Sequence, residues 1–411
     1  MARTRYLVAS SRASFAAAPI AAVVAYAVLS NIALWSGDWI WGYNHLGQTV
    51  PVLMLITAFV TGWDSGSTSG GYRALTERVP VSRLRVVTTL VAAPLGTSVA
   101  LYGVGLAAVV RATWSNDGAV DPRTAWLIGS HLMMLCMAAA VGLLMGRFLD
   151  SPYAAFGGVA VIGLMLFWHV GEGQYLLELD GLAGPAAGST PATAYFAQNV
   201  ATLLVVTLAL SVPLSLASPP RGVVGAGITI ALAVYLTTSH LGSTEKNVAT
   251  ARGPDRCLWG DVEVCVYPGY DRLLPVLENR ITGFLREADS RGVPRSTFPS
   301  RFVQDGSVDS EPGTGVLQLR EEILRDQTID TGDLAATLST PIWCDAMFGE
   351  EVPVGLLDRS STVSTWIRFV DGELSARALK ELAPDLARLP PAHQAARIIA
   401  VMAELRRCDN T

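Results

Sequence analysis

Residues 72 to 85 read YRALTERVPVSRLR, a charged island set between two apolar runs. On a helix Tyr72, Leu75 and Val79 fall at i, i+3 and i+7 and form one apolar stripe, while Arg73, Glu77 and Arg78 lie off it. Pro80 ends that helix, Ser82 stands where a cap would open the next, and Arg83 and Arg85 ride at the entrance of a long apolar segment. The stretch therefore predicts a short surface helix after which the chain turns straight back into a membrane. Its arginines place it on the cytoplasmic face.

Working outward, 51% of the 411 residues are hydrophobic and the mean hydropathy is +0.38, which is too apolar for an ordinary soluble chain. The excess lies before residue 241, where only 11 of the 30 basic and 9 of the 35 acidic residues are found. The chain reads as a membrane protein in contact with the lipid bilayer, carrying an acidic C-terminal piece long enough for a core of its own. No basic concentration calls for a nucleic-acid partner.

Apolar runs near 15–35, 49–63, 86–110, 125–146, 154–170, 196–217 and 222–240 make seven expected spans. The first follows Arg3, Arg5 and Arg12 as a signal peptide would. Its length of about 20 residues suits an uncleaved span rather than a signal core of about 7–15. Arginine marks alternate loops, with Arg73, Arg78, Arg83 and Arg85, then Arg147, then Arg221 on the inner side. The other loops carry little net positive charge. This pattern predicts a multi-pass protein of the plasma (cytoplasmic) membrane, with a cytoplasmic N-terminus and an extracytoplasmic C-terminal domain. Trp35, Trp39, Trp41 and Tyr43 fit an aromatic belt at the outer interface. Ala92, Gly96 and Ala100 in the third span, and Ala138, Gly142 and Gly146 in the fourth, repeat small residues every four positions and predict close helix packing inside the bundle. His131 and His169 are the polar groups expected at membrane depth. With no Asp or Glu sharing their spans, a helix-to-helix hydrogen bond is the expectation for each rather than a proton relay.

A bundle whose second and third spans are joined by a cytoplasmic amphipathic helix and a Pro-x-Ser-Arg turn resembles the permeases of the ABC-2 type exporter family. The matching residues are Glu77, Pro80, Val81, Ser82, Arg83 and Arg85, preceded by the run DSGSTSGG. The resemblance covers residues 1–217 as a six-span permease-like domain. To it this chain adds a seventh span at 218–241, a linker at 242–256 and an extracytoplasmic domain at 257–411. It implies that Ala74 to Val79 act as a coupling helix on an ABC-type ATPase subunit, with Tyr72, Arg73, Leu75, Glu77, Arg78, Pro80, Arg83 and Arg85 as the coupling set. It also implies a homodimer or heterodimer of permeases. The family's outer re-entrant hairpin would fall in the loop 171–198, near TPATAYF. Independently of the resemblance, no GxxxxGK[ST] nucleotide loop occurs in the sequence, so ATP-driven work needs a separate subunit. The alternative reading of the charges is a solvated loop. The alternative for the protein is a membrane-anchored ligand-binding sensor or assembly factor.

In the C-terminal piece, CLWGDVEVCVYPGY alternates around a Gly-Asp turn and predicts a hairpin pinned by Cys257 and Cys265. That pairing leaves Cys344 with Cys408. A zinc site on the four thiols lacks any CxxC and is disfavoured in an oxidising compartment. From 271 to 291, Leu273, Leu274, Leu277, Ile281, Phe284, Leu285 and Ala288 make a helical stripe with Pro275 in its first turn. A loop is expected over 292–315 and a strand over Val316 to Leu319. Helices are expected near 320–326, 331–339, 374–383 and 391–407. The fold class is thus an all-α polytopic bundle followed by a small α+β or mainly helical domain. His393 is the one histidine beyond residue 241, and neither HExxH nor GxSxG occurs. A non-catalytic subunit without cofactor or metal is expected.

Overall fold

The structure is a computed structural model and describes residues 13–30, 32–66, 83–149, 151, 153–167, 188–215, 247–249, 253–305, 314–340 and 354–407. The apolar half is helical, the conformation in which a backbone surrounded by hydrocarbon satisfies its own polar groups. Its helices are α1 (Ala13–Leu29), α2 (Ile32–Trp35), α3 (Trp39–Gly47), α4 (Val50–Gly66), α5 (Arg83–Trp114), α6 (Thr124–Leu149), α7 (Ala154–Phe167) and α8 (Thr193–Ser215). Among the described residues, four stretches are long and apolar enough to cross a membrane: Trp39–Gly66, Val86–Trp114, Thr124–Leu149 and Thr193–Ser211. Phe15–Leu29 and Ala154–Leu166 are apolar but shorter. The run 222–240 lies outside the described residues. Phe15, Tyr26, Val104, Phe156 and Leu208 are exposed on the bundle's flanks, an apolar surface that associates with a membrane.

Three features of the apolar half differ from what the sequence predicts. The second apolar helix starts ten residues earlier than its run at 49–63, because α3 and α4 form one helical column from Trp39 to Gly66. Trp35, Trp39, Trp41 and Tyr43 are buried between helices and beneath the C-terminal domain, so they are core rather than an interfacial belt. Ala92, Gly96 and Ala100 lie on the exposed face of α5, and a Cβ at Gly96 would meet nothing within 4 Å. That stripe is therefore not a packing surface within the bundle. Ala138, Gly142 and Gly146 sit on the buried side of α6, against α4. A Cβ at Gly142 would lie 2.4 Å from the Ala58 carbonyl oxygen, so only glycine permits this approach. α6 packs on α4, α5, α7 and α8 and is buried on all sides from Met137 to Leu144, as the central helix of a bundle must be.

The C-terminal lobe is built on a mixed four-stranded sheet in the order β3 (Arg256–Trp259), β4 (Glu263–Val266), β5 (Arg301–Gln304) and β6 (Thr314–Leu317). The expected hairpin is present, antiparallel, with Cys257 opposite Cys265 and a disulfide between them. Helix α9 (Leu274–Ser290) carries the chain from β4 to the parallel neighbour β5 and buries Leu277, Ile281, Phe284, Leu285 and Ala288 on the sheet side. Helices α10 (Glu321–Asp326), α11 (Thr331–Ser339), α12 (Val354–Val370), α13 (Ala376–Leu382), α14 (Pro384–Ala387) and α15 (Pro391–Arg407) complete the lobe. The lobe is therefore α+β. Phe284 meets Phe298 and Trp366 edge-on at its centre. Arg280 grips Asp371 with both terminal nitrogens, tying α9 to the end of α12. Burial alone would raise the Asp371 carboxyl, but hydrogen bonds from Arg280 and Thr331 outweigh it and hold it below the usual carboxylate range.

Three further elements differ from what the sequence predicts. The span 292–315 contains strand β5 rather than loop alone, and the next strand covers Thr314 to Leu317 rather than Val316 to Leu319. Residues 354–370, where no element was expected, form α12. Its SSTVST centre has poor helix propensity, and burial of Leu356, Val363, Trp366, Ile367 and Val370 overrides it. A separate two-stranded sheet pairs β1 (Ser189–Pro191) with β2 (Asn247–Ala249), where a re-entrant loop and a polar linker were expected.

Candidate functional site

The lobe is seated on one end of the bundle, on the turn between α2 and α3. Asp38 caps α3, its Oδ1 accepting the Trp41 backbone N–H at 3.0 Å. Its Oδ2 accepts the hydroxyl of Tyr270, which reaches down from the lobe at 2.7 Å. Both side chains are almost fully buried, at 5% and 2% exposure. Burial first, then the adjoining Asp38 charge, pushes the Tyr270 phenol well above its usual range, so this hydroxyl remains a donor.

Around that bond the backbones touch. Gly269 has φ +92°, a left-handed conformation that glycine adopts freely, and a Cβ there would sit 2.1 Å from the Gly37 carbonyl oxygen. A Cβ on Gly118, at the turn between α5 and α6, would be 2.4 Å from that same oxygen. Arg272 Nη1 reaches Ser36 Oγ at 3.5 Å. Beside it Asp271 is raised by burial, with Arg256 opposing at 3.9 Å and Asp117 and Asp255 adding to the rise.

Immediately inside the bundle lies a polar trio. Tyr43 of α3, Tyr102 of α5 and His131 of α6 are each at most 1% exposed. His131 Nδ1 is 2.6 Å from the Tyr43 hydroxyl and 2.8 Å from that of Tyr102, and the two hydroxyls are 2.8 Å apart. The Tyr43 ring also stacks on the imidazole, 5.3 Å between centroids. The trio joins three helices at one buried level, the two hydroxyls and the His131 Nδ1 each within hydrogen-bond distance of the other two. Thr57 to Ser98 at 2.7 Å and Asn199 to Ser130 at 2.8 Å extend this hydrogen bonding from α4 to α5 and from α8 to α6. Trp39 donates to Thr124, and Thr190 to Asp121, at the lobe end.

Residues 72–82, with Tyr72, Arg73, Leu75, Glu77, Arg78 and Pro80, lie outside the described residues. Arg83 and Arg85 fall in the first turn of α5. The flanking points Gly66 and Arg83 are at the end of the bundle away from the lobe, where Gly66 packs on Ser151. Cys344, Cys408 and His169 are also outside the described residues. Among the described residues, the one His/Cys/carboxylate group close enough to hold a metal is Cys257, Glu263 and Cys265, and the disulfide uses both of its thiols.

Sequence reasoning passed over Asp38, Gly37, Tyr102, Gly269 and Tyr270. Asp38 was legible as the single charge between residues 36 and 48, and Pro268-Gly269-Tyr270 as a turn. Nothing local joins the two. The chain matches no protein-family model, no curated protein and no solved structure.

Proposed function

We propose that this chain is the membrane (permease) subunit of an ATP-driven exporter, moved by a separate ABC-type ATPase that presses on residues 72–79. The supporting observation is the column Trp39–Gly66. At one end its capping residue Asp38 holds the lobe through Tyr270; at the other, Gly66 leads into the segment 67–82. In this reading a push on that segment travels along roughly 42 Å of helical column, α4 and then α3, to the seat of the lobe. The Ala58–Gly142 and Ser65–Gly146 approaches lock the column to the central helix α6, so the two move together.

Seven spans, a cytoplasmic N-terminus and an extracytoplasmic lobe complete the reading. β1 opens α8 at the lobe end and pairs with β2, whereas α8 itself runs for roughly 35 Å toward the far end. The sequence between α8 and β2 contains the apolar run 222–240, the seventh span of this reading. A second permease, identical or different, completes the transporter. In this reading the lobe caps, selects or recruits at the exit.

The test is capture of a P-loop ATPase from native membranes with the intact chain as bait. Glu77→Ala with Arg78→Ala should abolish capture; undiminished capture overturns the reading. A second reading, a membrane-anchored sensor, draws support from a lobe with its own core and a firm seat. It predicts that an unrelated anchor in place of residues 1–240 leaves the lobe's activity intact.

A further inference from the structure

On the side of the lobe away from its seat, four elements meet around a hollow of about 360 Å³. They are the hairpin tip, the outer half of α9, the turn at Arg295–Thr297 and the last turn of α15. The floor is apolar: Val262, Leu285 and Phe298, each buried in the lobe core. The rim is cationic. Arg286 Nη2 and Arg295 Nη1 both converge on Asp261 Oδ2, at 3.0 and 3.2 Å. The two guanidinium groups, Arg286 first, hold the Asp261 carboxyl below its usual range. Arg406 donates through Nη2 to the Ser296 carbonyl at 3.0 Å, which fixes the head group, while its Nε is buried without a hydrogen-bond partner among the described residues.

Two guanidinium groups therefore share one carboxylate, and the third is held by a neutral carbonyl. The Arg295 and Arg406 side chains that line the hollow are the natural complement of an anion. The volume is that of a small-molecule site, and the apolar floor with few polar groups above it is the composition such sites have. Leu285 lies roughly 16 Å along α9 from the end beside the seat, which sets the hollow away from the bundle and its lipid headgroups.

We propose that this hollow binds a soluble small molecule with one carboxylate or phosphate on an apolar body, Arg295 and Arg406 taking the acid group and Val262, Leu285 and Phe298 the body. Asp261 holds Arg295 in place and competes with the ligand for it. The inference stands apart from the exporter reading, since an anion site on the lobe suits a transporter and a sensor alike.

The test is isothermal titration of the full-length protein in uncharged detergent with phenyl phosphate, phenylacetate, benzyl alcohol and inorganic phosphate. Phenyl phosphate or phenylacetate should bind, and the ratio of the two affinities tells which acid group is preferred. Benzyl alcohol and inorganic phosphate should each bind at least about 10-fold more weakly, as expected when a charge-assisted hydrogen bond or an apolar contact is lost. Arg295→Ala, in an exposed turn, should weaken binding by about 10-fold or more, and Asp261→Asn should tighten it. Arg406→Gln should weaken it as well; should that variant not fold, Arg295→Ala decides. No binding of either aromatic acid at millimolar concentration, equal binding of benzyl alcohol, or an unchanged affinity in Arg295→Ala overturns the proposal. Inorganic phosphate binding as tightly as phenyl phosphate overturns the assignment of the apolar body.

Discussion

At the scale of single residues, the Asp38–Tyr270 bond is the contact on which the seating of the lobe turns. Tyr270→Phe keeps the ring and removes one donor from a buried carboxylate. The expected cost is about 1–3 kcal/mol, read as a lower unfolding temperature and faster amide exchange at the lobe–bundle contact. The pH dependence has a defined sign. Because the folded phenol titrates above its unfolded value, its contribution is complete below about pH 10 and is lost as the pH rises from there toward the folded value. Wild type should lose stability across that alkaline window, and Tyr270→Phe should lose less; identical alkaline profiles would remove Tyr270 from the account. The trio Tyr43, Tyr102 and His131 shows why such contacts hide in a sequence. A phenol suits a headgroup interface as well as a buried hydrogen bond. Tyr43 was placed in an aromatic belt on that ambiguity, and only the helices on either side of it decide for the core.

Two small-residue stripes show the same limit for whole elements. Ala92, Gly96 and Ala100 have the spacing of Ala138, Gly142 and Gly146, and spacing states that residues share a face, not what covers it. The structure covers one and leaves the other open. Gly142→Leu must therefore part α6 from α4, at a cost of about 1–3 kcal/mol or more. Gly96→Leu should be neutral, or stabilising by up to about 1 kcal/mol through helix propensity. Thermal unfolding of both variants in one detergent checks the contrast, and equal losses would contradict the packing described. The same difference between local and tertiary signals explains α12: α9, with a clean apolar stripe, was legible, while a helix of serine, threonine and β-branched residues was not.

For the whole molecule, the lobe occupies one end of the bundle, and the ends flanking residues 67–82 occupy the other. The sidedness proposed from the arginine distribution can be tested directly. On intact cells a membrane-impermeant maleimide should label Cys257 and Cys265 only after reduction. A Ser151→Cys variant should remain unlabelled at residue 151 until the membrane is opened. Labelling of position 151 in intact cells would place both ends on the wrong sides.

Short stretches of sequence were enough for the approximate place of the long apolar helices, the hairpin closed by Cys257 and Cys265, and the apolar face of α9. Bilayer thickness, helical period and turn chemistry act over a few to about twenty residues, so composition in a window is enough to reveal them. Which stripe is covered, the closing of Tyr43 and Tyr102 on His131, and the seat of the lobe come from the folded arrangement alone. Asp38 and Tyr270 are 232 residues apart, and the glycines that let their backbones meet carry no side chain to advertise the contact. Such a joint is made by shape complementarity between surfaces that exist only after each part has folded.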